Sequence, residues 1–160
     1  ASYNFQELSP FISRLYPVGR VLGIEQDKKG DYYQSIVIDP VYFDIHLPVS
    51  FQKAKIILKY QVNNVYFIRL GYQTGSNFQY FFKNVITSGR EGEWQVAEVD
   101  FDLRGAYIKD NKLKFAISSP HLDEQEGKIK VHSIEVFLEK ESLTFRDIPS
   151  LAKKFIKKIF

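Results

Sequence analysis

The sequence predicts an all-β chain: an antiparallel β-sandwich or jelly roll of about nine strands, followed by a short C-terminal amphipathic helix. Three observations lead there. Of 160 residues, 14 are Phe, 10 are Tyr and 1 is Trp, and these types favour extended chain together with Ile and Val. The apolar runs are short and closely spaced, with Gly, Pro, Asn or Asp between them. No alternation of helix and strand is present, which disfavours a doubly wound α/β fold. Hydrophobic residues at 44% and charged residues at 26% are the composition of a globular chain, and the length suits one domain with a sizeable core.

Residues 1–17 form a lead-in with Tyr3, Phe5, Leu8, Phe11, Ile12, Leu15 and Tyr16, interrupted by Ser9-Pro10. It has room for one short helical turn before an extended stretch, because Pro10 breaks any longer helix. The sandwich is expected over residues 18–147. Its first two strands, 18–26 and 32–38, are joined by Asp27-Lys28-Lys29-Gly30-Asp31, whose late Gly supplies the positive φ of a hairpin loop. The run 41–47 is bracketed by Pro40 and Pro48, which favours an edge strand.

Residues 53–61 alternate most clearly. Ala54, Ile56, Leu58 and Tyr60 point one way, while Lys53, Lys55 and Lys59 point the other with Ile57 among them. After the turn pair Asn63-Asn64, residues 65–71 are apolar on both faces and read as a central strand. Residues 78–86 form an aromatic strand, and 94–101 follow the polar loop 87–92. Residues 112–118 set Leu113, Phe115 and Ile117 on one face. In 128–138 the apolar phase slips between Ile129, Val131 and Ile134, Val136, Leu138, which predicts a β-bulge at His132-Ser133.

Residues 148–160 change character. Leu151, Ala152, Phe155, Ile156, Ile159 and Phe160 recur at helical spacing, opposite Lys153, Lys154, Lys157 and Lys158. Pro149 fits the first helical turn and Asp147 its positive end. Without those four lysines the chain carries 18 basic against 19 acidic residues. The body is therefore close to neutral, which argues against a nucleic-acid partner. The helix either closes one end of the core or lies on a membrane surface, with the lysines and the Phe155 and Ile156 face turned to the lipid. No run approaches the ~20 apolar residues of a membrane span, and no basic-then-apolar secretory signal opens the chain. The chain starts at Ala1 and contains no Met, as expected of a processed chain or an excised piece of a longer one.

The succession Glu93-Trp94-Gln95-Val96-Ala97-Glu98-Val99-Asp100-Phe101, then Leu113-Lys114-Phe115-Ala116-Ile117-Ser118, then Ile129-Lys130-Val131-His132-Ser133-Ile134-Glu135-Val136 resembles the closing strands of galactose-binding-like β-sandwiches. Carbohydrate-binding modules and discoidin-type domains belong to that superfamily. The resemblance covers about residues 92–138 and implies a sandwich whose loops at one end bind sugars, often with a structural calcium, and in which Trp94 is a packing residue. It implies no position-by-position ligand set. Ser9-Pro10, Leu15-Tyr16-Pro17-Val18-Gly19-Arg20-Val21 and Asp39-Pro40-Val41-Tyr42-Phe43-Asp44-Ile45 are similar, more loosely, to extracytoplasmic sandwich domains of bacterial membrane proteins. That implies an extracytoplasmic location, periplasmic or cell-surface, within a membrane-anchored protein.

The absence of Cys excludes disulfides, thiolate nucleophiles and Cys-ligated metal. His46, His121 and His132 are isolated in sequence, so no metal site is expected. No G-x-S-x-G occurs, and Ser118-Ser119-Pro120-His121 reads as a strand ending in a turn. The acid pairs Asp39/Asp44, Asp100/Asp102 and Glu124/Glu126 could serve glycoside hydrolysis, but are expected to solvate the surface. The chain is therefore expected not to be an enzyme and to need no cofactor. Asp27, Gly30 and Asp31, or Asp39, could supply oxygens to a structural calcium; the competing reading is a plain hairpin tip.

Loop aromatics are the remaining candidates, since a flat ring matches the C–H face of a pyranose while amides bond its hydroxyls. The stretch from Gly71 to Tyr80 is the richest, with Tyr72, Gln73, Asn77, Phe78 and Tyr80; Tyr32 and Tyr33 are a second group. Each competes with a core role. The expected function is a recognition module of a larger envelope-associated protein, binding glycan or a neighbouring domain through its loops. The alternative is a structural assembly domain that binds protein and no sugar.

Overall fold

The computed structural model describes residues 2–4, 9–47, 51–85, 92–124 and 126–140. The chain runs through β1 (Ser2–Asn4), a 3₁₀ turn (Val18–Arg20), β2 (Val21–Gln26), β3 (Tyr32–Ile36), β4 (Val41–His46), β5 (Lys53–Asn63), β6 (Ile68–Gln73), β7 (Tyr80–Val85), β8 (Gln95–Asp102), β9 (Ile108–Lys109), β10 (Lys112–Ser118) and β11 (Lys128–Glu139). The nine expected strands are all present. The two additional ones, β1 and β9, are too short to write a periodicity into the sequence.

Every strand pairing is antiparallel. One sheet has the order β2-β3-β11-β5-β8, with β1 also on β11; the other has the order β4-β10-β6-β7, with β9 on β10. β5 takes one side of β11 along its length, so β3 and β1 share the other, at residues 129–131 and 133–135. The register of β11 against β5 shifts between Val131 and Ser133, which places the bulge at His132 as expected.

Period-two burial builds the core. Along β5, Ala54, Ile56, Leu58, Tyr60 and Val62 are buried and the residues between them are not. They face Val41, Phe43 and Ile45 of β4, Leu113, Phe115 and Ile117 of β10, and Ile68 and Leu70 of β6 in one apolar cluster. At its centre Phe115 stacks on Phe43 at 5.5 Å and meets Phe101 of the opposite sheet edge-on at 5.6 Å, the favoured arrangements for ring quadrupoles. Two polar latches tie the sheets together at one edge: the Tyr72 hydroxyl donates to the Asp102 carbonyl at 2.7 Å, and Lys83 Nζ to the Asp100 carbonyl at 2.6 Å.

Three local expectations are corrected. No helical turn forms among the described residues of 1–17. Residues 11–16 instead run extended along the outer side of β4, with bridges Ile12–Ile45 and Tyr16–Tyr42. Ile12 and Leu15 enter the core there, so β4 is last in its sheet yet has its free edge covered. The helical turn lies instead at Val18–Arg20, so the strand expected from residue 18 starts at Val21. The central strand expected from residue 65 starts at Ile68, because Asn64 takes φ 53° and turns the chain, leaving Tyr66 80% exposed. The helix expected over 148–160, with Lys153, Lys154, Phe155, Ile156, Lys157 and Lys158, lies outside the described residues.

Candidate functional site

The outer face of the β4-β10-β6-β7 sheet carries the richest grouping of side chains. Because alternate residues of each strand enter the core, Tyr42 and Asp44 of β4, Lys114, Ala116 and Ser118 of β10, and Arg69, Gly71 and Gln73 of β6 point outward. The register adds Asn84, Phe82 and Tyr80 of β7 beside Arg69, Gly71 and Gln73. One cross-strand row reads Tyr42, Ala116, Gly71, Phe82. Its two middle members lack bulk, so the row is a trough between two rings.

Tyr80 fills that trough. Its ring stacks on Tyr42 at 5.8 Å and on Phe82 at 5.7 Å. Tyr42 and Phe82 sit three strand spacings apart, roughly 14 Å, so a ring that touches both must lie over Ala116 and Gly71. Tyr16 extends the band, 5.8 Å beyond Tyr42. Gly71 is required by this arrangement: a Cβ there would lie 2.6 Å from the Phe81 carbonyl oxygen and 2.6 Å from Phe82 Cδ1.

Polar groups flank the band. The Tyr16 hydroxyl donates to Asp44 Oδ1 at 2.7 Å, and Lys114 Nζ lies 5.6 Å from the Tyr16 ring and 5.8 Å from the Tyr42 ring. At the other end the Arg69 guanidinium lies 4.9 Å over the Phe82 ring, and its Nη2 donates to Ser118 Oγ at 3.1 Å. Asp39 Oδ2 accepts from the Ser118 hydroxyl at 3.2 Å and Asp39 Oδ1 from the Ser119 N–H at 2.6 Å. The Tyr80 hydroxyl and Arg69 Nε are buried with no hydrogen-bond partner. Burial first, then the Asp44 carboxylate, pushes the Tyr16 hydroxyl above the ordinary tyrosine value; burial, then Tyr42 and Asp44, does the same at Tyr80. Both phenols are therefore neutral donors. An open cleft of about 390 Å³ adjoins the band, lined among others by Asp44, Gln73, Phe78, Tyr107 and Lys114.

The structure divides the aromatic candidates read from the sequence. Gln73 and Phe78 line the cleft and Tyr80 sits in the band, while Asn77 is exposed on the adjoining turn. Tyr72 is not a loop residue: strand parity sets it with Ile68 and Leu70, and it is buried in the core. Tyr33 is likewise buried, in β3 of the other sheet, with its hydroxyl donating to Glu25 Oε2 at 2.8 Å; Tyr32 beside it is exposed, far from the band in the sheet order. Tyr16, Tyr42, Phe82, Arg69 and Lys114 escaped the sequence reading, which looked at loops. The available signal was the outward parity of 41–47, where Tyr42 and Asp44 interleave with Val41, Phe43 and Ile45.

Trp94 packs, as the resemblance implied. Its ring meets His132 at 5.6 Å and Tyr33 at 6.0 Å, and its indole N–H donates to Asp27 Oδ2 at 3.2 Å. That arrangement does not suit calcium. Asp27 Oδ1 already accepts the N–H groups of Lys29 and Asp31 at 2.8 and 2.9 Å, and Asp31 faces Lys59 and His132 at 3.7 and 3.6 Å. Asp39 is committed to Ser118 and Ser119. Hydrogen-bond donors and cations stand where a calcium ion would need free oxygens.

No family model matches the chain, and no curated protein matches its sequence. Solved structures do match its fold. The CBM22-1 xylan-binding domain from Paenibacillus barcinonensis Xyn10C is 11% identical, with a TM-score of 0.53 over 89% of this chain and 95% of that one. A xylan-binding module, CBM15, is 15% identical, with a TM-score of 0.53 over 89% of this chain and 99% of that one. The carbohydrate-binding module CBM6cm-2 from Cellvibrio mixtus lichenase 5A, in complex with cellotriose, is 11% identical, with a TM-score of 0.50 over 89% and 98%. The likeness is one of fold: this chain has the antiparallel β-sandwich fold of these carbohydrate-binding modules.

Proposed function

We propose that this chain is a non-catalytic recognition module that binds a glycan across the outer face of the β4-β10-β6-β7 sheet, within a larger extracytoplasmic, envelope-associated protein. The observation that carries the reading is the band Tyr16-Tyr42-Tyr80-Phe82 with a cleft beside it. Its half-buried rings offer an apolar surface to the C–H side of pyranoses, while exposed Asn84 and half-buried Lys114 flank it as partners for hydroxyls. Similar solved structures support the reading, one being a xylan-binding module and another holding cellotriose. The acid beside the band, Asp44, is engaged by the Tyr16 hydroxyl, a positioning role rather than a reacting one.

Affinity electrophoresis in gels containing xylan, β-glucan, galactan or polygalacturonate tests this. At least one polysaccharide should retard the protein, and a Tyr42→Ala/Phe82→Ala variant that melts cooperatively should migrate freely in it. Equal migration of the wild-type protein in every gel would remove the glycan reading. One observation favours the assembly alternative. Among the described residues no strand pairs with the outer edge of β2, and Leu22 and Ile24 on it are 38% and 49% exposed. On that reading Ile24→Lys would abolish association with a neighbouring domain, and no polysaccharide would retard either form. A membrane surface remains the proposed partner of residues 148–160.

A further inference from the structure

We infer that the ligand of this face is an acidic saccharide, a chain whose pyranoses carry carboxylate or sulfate groups. The inference rests on the glycan-binding reading above and names the class of glycan. Two cations, Lys114 and Arg69, stand at opposite ends of the aromatic band. Neither forms an ion pair among the described residues, although both are half-buried.

No acid lies within ion-pair distance of either cation among the described residues, although Asp44 is the direct cross-strand partner of Lys114 and Asp39 is linked to Arg69 through Ser118. Asp44 accepts the Tyr16 hydroxyl, and Asp39 accepts the Ser118 hydroxyl and the Ser119 N–H. Asp110 lines the cleft together with Lys109 and Lys112, so the cleft too carries more basic than acidic groups. Arg69 has five N–H donors, of which one meets Ser118, and Nε is buried without a partner. The buried Nε is out of a ligand's reach, so what the guanidinium offers the face are the Nη donors that Ser118 leaves over. Its planar fork matches two oxygens of a carboxylate or sulfate. A neutral sugar laid over the band would strip water from both cations and return only dipolar contacts. An acidic sugar returns charge-assisted hydrogen bonds at the same positions.

Titration calorimetry with an oligogalacturonate, a sulfated galacto-oligosaccharide and a neutral galacto-oligosaccharide of equal length tests this. One acidic probe should bind about tenfold or more tightly than the neutral one, the scale of one charged hydrogen bond gained. Which acidic probe binds separates carboxylate from sulfate. The preference should collapse near 1 M salt, where the screening length falls to about 3 Å. Arg69→Gln and Lys114→Gln should each lower the acidic-over-neutral preference about tenfold. Neutral binding equal to or tighter than acidic overturns the inference and leaves the glycan reading standing. Binding of none of the three probes, with no retardation in any polysaccharide gel, removes both.

Discussion

Gly71→Ala is the smallest change that reaches both the fold and the proposed site. The new Cβ would stand 2.6 Å from the Phe81 carbonyl oxygen and 2.6 Å from Phe82 Cδ1. A ring can swing away, but the carbonyl belongs to the β6–β7 ladder and moves only with the strand. Overpacking of this kind costs about 1–3 kcal/mol, and contact with backbone sets this case in the upper part of that range. Replacing a strand glycine recovers about 0.5–1 kcal/mol of backbone entropy. The clash wins, with a net loss of about 1–2 kcal/mol. In a chain of 160 residues that lowers Tm by roughly 2–8 °C. Trp94, the one tryptophan, gives the fluorescence signal for a urea melt, in which the midpoint should fall at unchanged slope. Adding Phe82→Ala removes the ring clash and leaves the carbonyl clash, so the double variant should show a coupling energy yet stay below wild type in midpoint. A Gly71→Ala midpoint equal to wild type, with polysaccharide retardation intact, would refute the claim that Phe82 rests on this backbone.

Three further outcomes are expected. Phe115→Ala, which empties the centre of the ring cluster with Phe43, Phe101 and Tyr72, should destabilise by about 3–5 kcal/mol, read from the urea midpoint. Burial pulls the Asp27 carboxyl upward, but the N–H groups of Asp31, Lys29 and the Trp94 indole outweigh it and hold the group below the usual carboxylate value. Its stabilising contribution is therefore complete above the unfolded value of 3.8 and is lost as pH falls through the lower folded one, so Trp94 fluorescence should titrate below 3.8 and Asp27→Asn should abolish that step. Vesicles rich in anionic lipid should co-sediment the full chain and not a chain ending at residue 147; equal sedimentation would remove the membrane reading of the basic tail.

Strand identity was legible because one-sided burial imposes a period of two, and 53–61, 112–118 and the phase slip at His132 obey it. β1 and β9 were not legible, since two or three residues carry no period. Nor was the lead-in, whose extended path depends on the distant strand β4 offering it a partner. The same division runs through the candidate site. Gln73, Phe78 and Tyr80 were found because they are close in sequence. Tyr72 was misplaced because loop and strand readings of Gly71-Tyr72-Gln73 differ only in where the ladder ends.

From the amino acids alone follow the all-β class, the faces of the strands, the bulge and the neutral body, because each is written in local alternation or in composition. Which strands lie side by side is decided by long-range pairing, and no local pattern encodes it. Tyr16, Tyr42, Tyr80 and Phe82 become one band, and Arg69 and Lys114 its two charged ends, only after four strands and a lead-in from distant parts of the chain align in register.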